Sequence, residues 1–238
     1  LIVNLSERIN DSSMVTNCFD INGSNGSVTV TTGVTANDTE LYLNWSSEQL
    51  QYTNITPGYG YISNSTCLFG DLSNNLLASS TAFTSIDGAV PAFWSCNSYD
   101  TDSDGSLNRV NCTMSEPLTT ANTTGFTARA NYGPADTSHS ALVITAANAY
   151  STMNVLNITF DDAVWGTGNV SLAYDGTKGS VNDTKQNASL SNSTITINDT
   201  AIPFVERAIT KDSDVNGYVD ALIVNLSERI NDSSMVTN

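Results

Sequence analysis

The chain has 238 residues, 39% of them hydrophobic and only 13% charged, enough apolar material for one or two packed domains and too much for full disorder. Its formal net charge of −16 disfavours phosphate-backbone partners and anionic membrane surfaces, and it favours divalent cations wherever carboxylates cluster. No run of about 20 apolar residues occurs, so no membrane span is expected within this segment; either targeting segments have been removed or the chain is a piece of something longer.

The first element is a repeat. Residues Leu1–Asn17 read LIVNLSERINDSSMVTN and return letter for letter at Leu222–Asn238, an offset of 221. A short local duplication would leave the second copy as a strand with no domain to join. In a 221-residue periodic array, that strand opens the next copy, and this is the expectation. Its variant is exchange of the strand between separate subunits, as in donor-strand assembly.

The segments that follow alternate apolar and polar residues, the period of a half-buried strand. Leu41, Leu43 and Trp45 share one face of Leu41–Ser46. The linker IDGAVP around Asp87 then precedes a second, weaker repeat. AVPAFWSCNSYDTDSDGSLNRVNCTMSEPL starts at Ala89 and AIPFVERAITKDSDVNGYVDALIVNLSERI at Ala201, an offset of 112. This offset pairs Pro91 with Pro203, Asp71 with Asp183, Asn75 with Asn187, Asp87 with Asp199 and Glu116 with Glu228. One period is therefore read as two related domains, residues 1–88 (A) and 89–200 (B). Residues 201–238 begin the next domain A, and the equivalent of 201–221 from a preceding repeat supplies the first strand and loop of this one.

Further along, SALVITAANAYS (Ser140–Ser151) is the nearest approach to helical periodicity, but its LVIT centre reads better as a strand. Leu156, Ile158 and Phe160 share a face, as do Val170, Leu172 and Tyr174, then Ile195 and Ile197, and finally Leu222, Val224 and Leu226. With Gly, Asn and Asp clusters every 8–12 residues, about seven short strands per domain imply an all-β fold of tandem Ig-like β-sandwiches.

Two loops carry the chemistry. Asp100-Thr-Asp102-Ser-Asp104-Gly105-Ser106-Leu-Asn108 and Asp212-Ser-Asp214-Val-Asn216-Gly217-Tyr218-Val-Asp220 both follow D-x-D-x-[DN]-G-x-[LV]-[DN]. Oxygens at positions one, three and five can converge on one hard cation. Glycine at six permits the sharp turn, seven offers a backbone carbonyl and nine a side-chain oxygen. Position twelve is Asn111 or Ile223 instead of a bidentate glutamate, and strands flank the loops, so an EF-hand domain is rejected while the calcium-binding half of its loop is retained. The same pattern also makes an ordinary Asp/Asn/Gly turn, but its recurrence at one place in both repeats favours calcium, about two ions per period. Asp87 and Asp199, ending the last strand of each domain, are expected to add a ligand and lock the linker. Glu116 and Glu228 lie eight residues beyond their loops, too far to share that ion, and are expected at the opposite junction.

Eighteen of the 28 asparagines stand in N-x-S/T: Asn4, Asn10, Asn22, Asn25, Asn37, Asn44, Asn54, Asn64, Asn111, Asn122, Asn157, Asn169, Asn182, Asn187, Asn192, Asn198, Asn225 and Asn231. Roughly seven would arise from composition alone, and those inside the expected strands fall on the outward face, as a glycan requires. Many are therefore expected to carry N-linked glycans in an extracellular or cell-surface location. The four cysteines fit an oxidising compartment. Four allow three connectivities; placing both partners in one domain gives Cys18–Cys67 and Cys96–Cys112, the latter at the base of the first loop.

DSDVNGYVDALIVNLSERI resembles the opening of bacterial Ig-like, cadherin-like surface repeats, and FGDLSNNLLASSTAFTSIDGAVP resembles their closing segment before an Asp…Pro linker. The resemblance implies calcium-loop-containing adhesins, stalks or filaments, although the cysteines and sequon density are unusual for its bacterial members. The expected function is a structural, self-associating repeat of a glycosylated, calcium-stabilised extracellular filament or surface stalk. The alternative is an adhesin or carbohydrate-binding module using aromatics such as Tyr52, Tyr59, Tyr61, Trp94 and Trp165, which are instead expected in cores and linkers. An enzyme is not expected. Adjacent Asp161 and Asp162, the one carboxylate pair outside the loops, would point to opposite faces of a strand, and no nucleophile triad, phosphate loop or dinucleotide fingerprint is present.

Overall fold

The computed structural model describes residues 2–13, 19–21, 28–32, 36–45, 59–61, 69–78, 80–83, 87–130, 141–150, 153–161, 170–228, 230–231 and 233. Among them the fold is all-β, with one short 3-10 turn at Asp11–Ser13. The chain divides into two compact units, Leu1–Asp87 and Gly88–Asn238.

The first unit contains β1 (Ile2–Asn4), β2 (Phe19–Ile21), β3 (Val28–Thr32), β4 (Glu40–Trp45), β5 (Tyr59–Tyr61) and β6 (Ser80–Phe83). They form two antiparallel sheets, ordered β1-β4-β3 and β2-β5-β6. The alternation in β4 is seen at Leu41 and Leu43, both fully buried, with Tyr42 half-buried and Asn44 exposed; the Trp45 side chain lies outside the described ones.

The second unit contains β7 (Phe93–Tyr99), β8 (Arg109–Met114), β9 (Leu118–Ala121), β10 (Phe126–Ala130), β11 (Ala141–Leu142), β12 (Ile144–Ala149) and β13 (Val155–Phe160). These are followed by β14 (Val170–Tyr174), β15 (Val181–Asp183), β16 (Asn192–Ile195), β17 (Ile197–Asp199), β18 (Val205–Lys211) and β19 (Ala221–Leu226). A five-stranded sheet, β12-β13-β8-β7-β17, and a four-stranded one, β11-β10-β14-β16, share one core. The first sheet contributes Val110, Cys112, Met114, Leu156, Ile158 and Phe160, and the second contributes Phe126, Ala128, Val170, Leu172, Tyr174 and Ile195. This two-layer arrangement is consistent with a β-sandwich. The LVIT stretch is strand on either side of Val143, but its halves join different sheets: β11 pairs with β10, and β12, running on through Ala149, pairs with β13. Phe93 closes the core by meeting Phe126 edge-on and Tyr174 at a tilt, with centroids 6.3 and 5.9 Å apart. Burial raises the pKa of Tyr174, whose hydroxyl accepts the Val181 N–H at 3.1 Å.

Ile195 and Ile197, read as one strand face, belong to different sheets. Ile195 pairs with Leu172 in β14, whereas Ile197 pairs in parallel with Cys96 in β7. The chain crosses between layers at Thr196.

The 112-residue repeat is visible in the hydrogen bonding. In β7–β8, Cys96 faces Cys112 and Asn97 faces Asn111, with a bulge between Phe93 and Ser95. In β18–β19, Ala208 faces Val224 and Ile209 faces Ile223, with a bulge between Val205 and Arg207. Each hairpin is closed by the same serine: Ser115 Oγ accepts the Ala92 N–H, and Ser227 Oγ accepts the Phe204 N–H, both at 2.9 Å. The hairpins differ in cover. Val110, Cys112 and Met114 are fully buried, while Leu222 and Val224, at the positions of Val110 and Cys112, are 59% and 45% exposed. Cys96 and Cys112, cross-strand neighbours with Cα atoms 4.0 Å apart, form the expected disulfide; Cys18 and Cys67 lie outside the described residues.

Candidate metal-binding loops and glycan sites

The two D-x-D loops are the turns of the repeated hairpins, and their sequences dictate their shape. Position six needs a left-handed backbone, which glycine adopts without a Cβ clash; φ is +89° at Gly105 and +92° at Gly217. Position four is also left-handed, at Ser103 (62°) and Val215 (60°). The aspartate at position one then caps the turn. Asp100 Oδ2 accepts the Gly105 N–H at 2.9 Å, and Asp212 Oδ2 accepts that of Gly217 at 2.7 Å. Position five accepts the amide of position seven, Asp104 from Ser106 and Asn216 from Tyr218. Position nine accepts the amide of position two, Asn108 from Thr101 and Asp220 from Ser213.

These bonds converge the side chains. Asp100, Asp102 and Asp104 bring carboxylate oxygens within 4.8 Å of one another, as do Asp212, Asp214 and Asp220. Burial pushes the pKa of Asp100 up, but the N–H groups of Gly105 and Ser103 outweigh it and the net shift is downward. The Gly217 N–H leads the causes that lower Asp212. Backbone N–H groups thus favour the ionised form of both carboxylates, and each stands with two further carboxylates, a set of oxygen donors of the kind a hard cation with flexible coordination such as Ca²⁺ takes. Ser106 is buried, whereas Tyr218 is exposed. The first loop is covered by the following segment: a Cβ at Gly105 would lie 3.4 Å from that of Ser227 and 3.5 Å from the Phe204 ring.

The oxygens grouped in these triads do not include Asp199. Asp199 ends β17 beside Ser98 and accepts the Ser98 hydroxyl and the Ala201 N–H, each at 3.2 Å. Asp87 is the exposed last residue of the first unit. Glu116 instead lies with Asp183; both are buried and their carboxylate oxygens come within 4.8 Å. Asp183 also caps its own turn, accepting the Lys185 and Asn187 amides and the Asn187 Nδ2–H. Asp71 does the same with Ser73 and Asn75, and the Asn75 bond lowers its pKa, with a smaller contribution from Glu7. Glu7 is Glu228 shifted by 221 residues, so a Glu–Asp contact recurs in each unit. The sequence reading missed Asp183, although the 112 offset had paired it with Asp71.

Of the sequon asparagines, Asn22, Asn25, Asn54, Asn64 and Asn169 lie outside the described residues. Asn4, Asn44, Asn122, Asn198 and Asn231 are exposed, and Asn10, Asn37, Asn111, Asn157, Asn182, Asn187, Asn192 and Asn225 are half-buried. The register stacks Asn148, Asn157, Asn111, Asn97 and Asn198 in one row across the five-stranded sheet. Asn198 donates to Asn97 Oδ1 at 3.2 Å and Asn157 donates to the Tyr150 hydroxyl at 3.1 Å. The Oδ1 atoms of Asn111 and Asn157 are enclosed and accept no hydrogen bond. Trp94, expected in a core or linker, is 52% exposed. Among the described residues, no helix is long and apolar enough to cross a membrane.

No protein-family model, no curated protein and no solved structure matches this chain.

Proposed function

We propose that this chain is a structural repeat of an extracellular, N-glycosylated filament or cell-surface stalk, built of Ig-like sandwich domains whose joints are stiffened by calcium, and that it is not an enzyme. The observation that carries this reading is the bare hairpin β18–β19. It copies β7–β8 in register, bulge and serine closure, yet exposes the positions that are sealed in β8. Residues 222–238 are identical to 1–17, and β1 within that segment pairs with β4 through Ile2–Tyr42, Val3–Leu41 and Asn4–Glu40. The equivalent residues of β19 can therefore lie on β4 of another copy in place of that copy's β1, with β18 as the next strand, in the position β7 holds beside β8.

Calcium enters at the same joint. The first loop touches Phe204 and Ser227 of the emerging hairpin, so neutralising its carboxylates with an ion removes a repulsion where one domain hands over to the next. The sequons and the disulfide fit an assembly that must resist proteases in an oxidising exterior.

Electron microscopy and sedimentation of the chain with and without calcium test the reading. Linear strings that shorten or soften on chelation are the expected result. A monodisperse monomer, indifferent to calcium and to concentration, would refute it.

A further inference from the structure

A shallow groove of about 130 Å³ lies between β7 and β16, walled by Trp94 on one side and Asn192 on the other, with Phe93, Cys96 and Ile195 among its lining residues. Cys96 and Ile195 are buried beneath it, and the open lining is mostly polar, with Ser95, Thr194 and Thr196 beside Asn192. We infer that this groove seats the first sugar of an N-linked glycan carried by Asn192, packed on the Trp94 indole. The inference rests on the glycosylation reading above and adds a specific binding site to it.

Three observations support it. First, Asn192-Ser193-Thr194 is a sequon, and Asn192 is held for the purpose. Its Oδ1 accepts the Thr194 N–H at 3.1 Å, which fixes the side chain and leaves Nδ2, the atom a glycan is attached to, making no hydrogen bond. β16 is the outer strand of its sheet, so no further strand of that sheet competes for the space.

Second, Trp94 is 52% exposed, a large apolar surface left in water beside a lining that is otherwise mostly polar. A pyranose ring has polar edges and a face of C–H groups, and an indole offers a flat apolar face with a polar tip. The groove is smaller than the roughly 300–1,000 Å³ of sites that hold free ligands. It suits a single ring whose covalent tether supplies a high effective concentration.

Third, the two walls are absent together from the sister domain. At the 112 offset, Trp94 corresponds to Glu206 and Asn192 to Ser80. The strands match, since β16 (Asn192–Ile195) corresponds to β6 (Ser80–Phe83) and both hairpins bulge at this point. The fold therefore requires neither residue.

The test is a four-member cycle made in a glycosylating host: wild type, Asn192→Gln, Trp94→Ala and the double variant, with glycopeptide mass spectrometry reporting occupancy at Asn192. The expected result is an occupied Asn192 whose replacement increases acrylamide quenching of tryptophan emission and lowers the melting temperature by about 2–6 °C, and which has no further effect once Trp94 is alanine. Additive melting shifts with unchanged quenching would overturn the inference. So would a bare Asn192 beside occupied neighbouring sequons. A chain with no glycan at any site would instead bring down the glycosylation reading itself.

Discussion

Replacing Leu222 with alanine separates assembly from folding. In the single chain Leu222 is 59% exposed, while Val110, at the corresponding position of the other hairpin, is fully buried. An exposed truncation changes stability by no more than about 0.5 kcal/mol, so the isolated chain should melt at its wild-type temperature. Between copies the same side chain is sealed as Val110 is sealed, and truncating a buried leucine costs about 2–5 kcal/mol. Taking the lower end, because a copy-to-copy joint relaxes more easily than a closed core, head-to-tail association should weaken about 30-fold or more, each 1.4 kcal/mol being a factor of ten. Sedimentation velocity across a concentration series in saturating calcium measures this directly. Unchanged association in Leu222→Ala would refute the claim that a second copy covers β19. A large loss of melting temperature in dilute monomer would show that the hairpin is already packed within its own chain.

Calcium at about 100 times its dissociation constant should stabilise the folded chain by about 2.7 kcal/mol per site, seen calorimetrically as a melting temperature that falls on chelation; Asp100→Ala with Asp212→Ala should abolish the difference. Reducing Cys96–Cys112, which closes a loop across a sequence separation of 16, should cost the second unit about 2–4 kcal/mol in denaturant titrations. Gly125→Ala should destabilise strongly, because φ is +90° there and a Cβ would meet the Asp175 carbonyl oxygen and the Gly179 nitrogen at 2.6 Å; expression and thermal melting will show it. The Thr177 hydroxyl, followed by Lys178, lowers the pKa of Asp175 to about 2. A folded-state value below the unfolded one gives a contribution that is complete above the ordinary carboxylate pKa near ~3.9. That contribution is lost as pH falls through about 2, so wild type should outlast Asp175→Asn in acid melts and the gap should close at the acid end.

What was legible in the sequence depended on how local its cause is. A period of two specifies a strand face wherever one side is buried, and Leu156, Ile158 and Phe160 show this without exception. A glycine at position six reports its own backbone, so the loop shape followed from Gly105 and Gly217. The same rule failed at Ile195 and Ile197, because alternation continues through a crossover in which the partners change from β14 to β7. The Glu116–Asp183 contact joins residues far apart in the chain, and only the fold brings them together. The asparagine row across five strands is likewise set by the register of each pair and not by any one strand.

Trp94 carries the most instructive error. A tryptophan in an apolar, strand-like stretch reads as core, and strict alternation from the buried Cys96 would turn Trp94 inward with it and leave Phe93 in solvent. The bulge between Phe93 and Ser95 inserts a residue and reverses that parity. Phe93 goes in, against Phe126 and Tyr174, and Trp94 comes out. The sister hairpin bulges at the same place and carries Glu206 there, on a strand exposed along its whole length. One bulge geometry serves both hairpins and only one of them carries a tryptophan, so the hairpin itself does not require the indole. On the inference drawn above, the glycan of the asparagine across the groove is what would cover it.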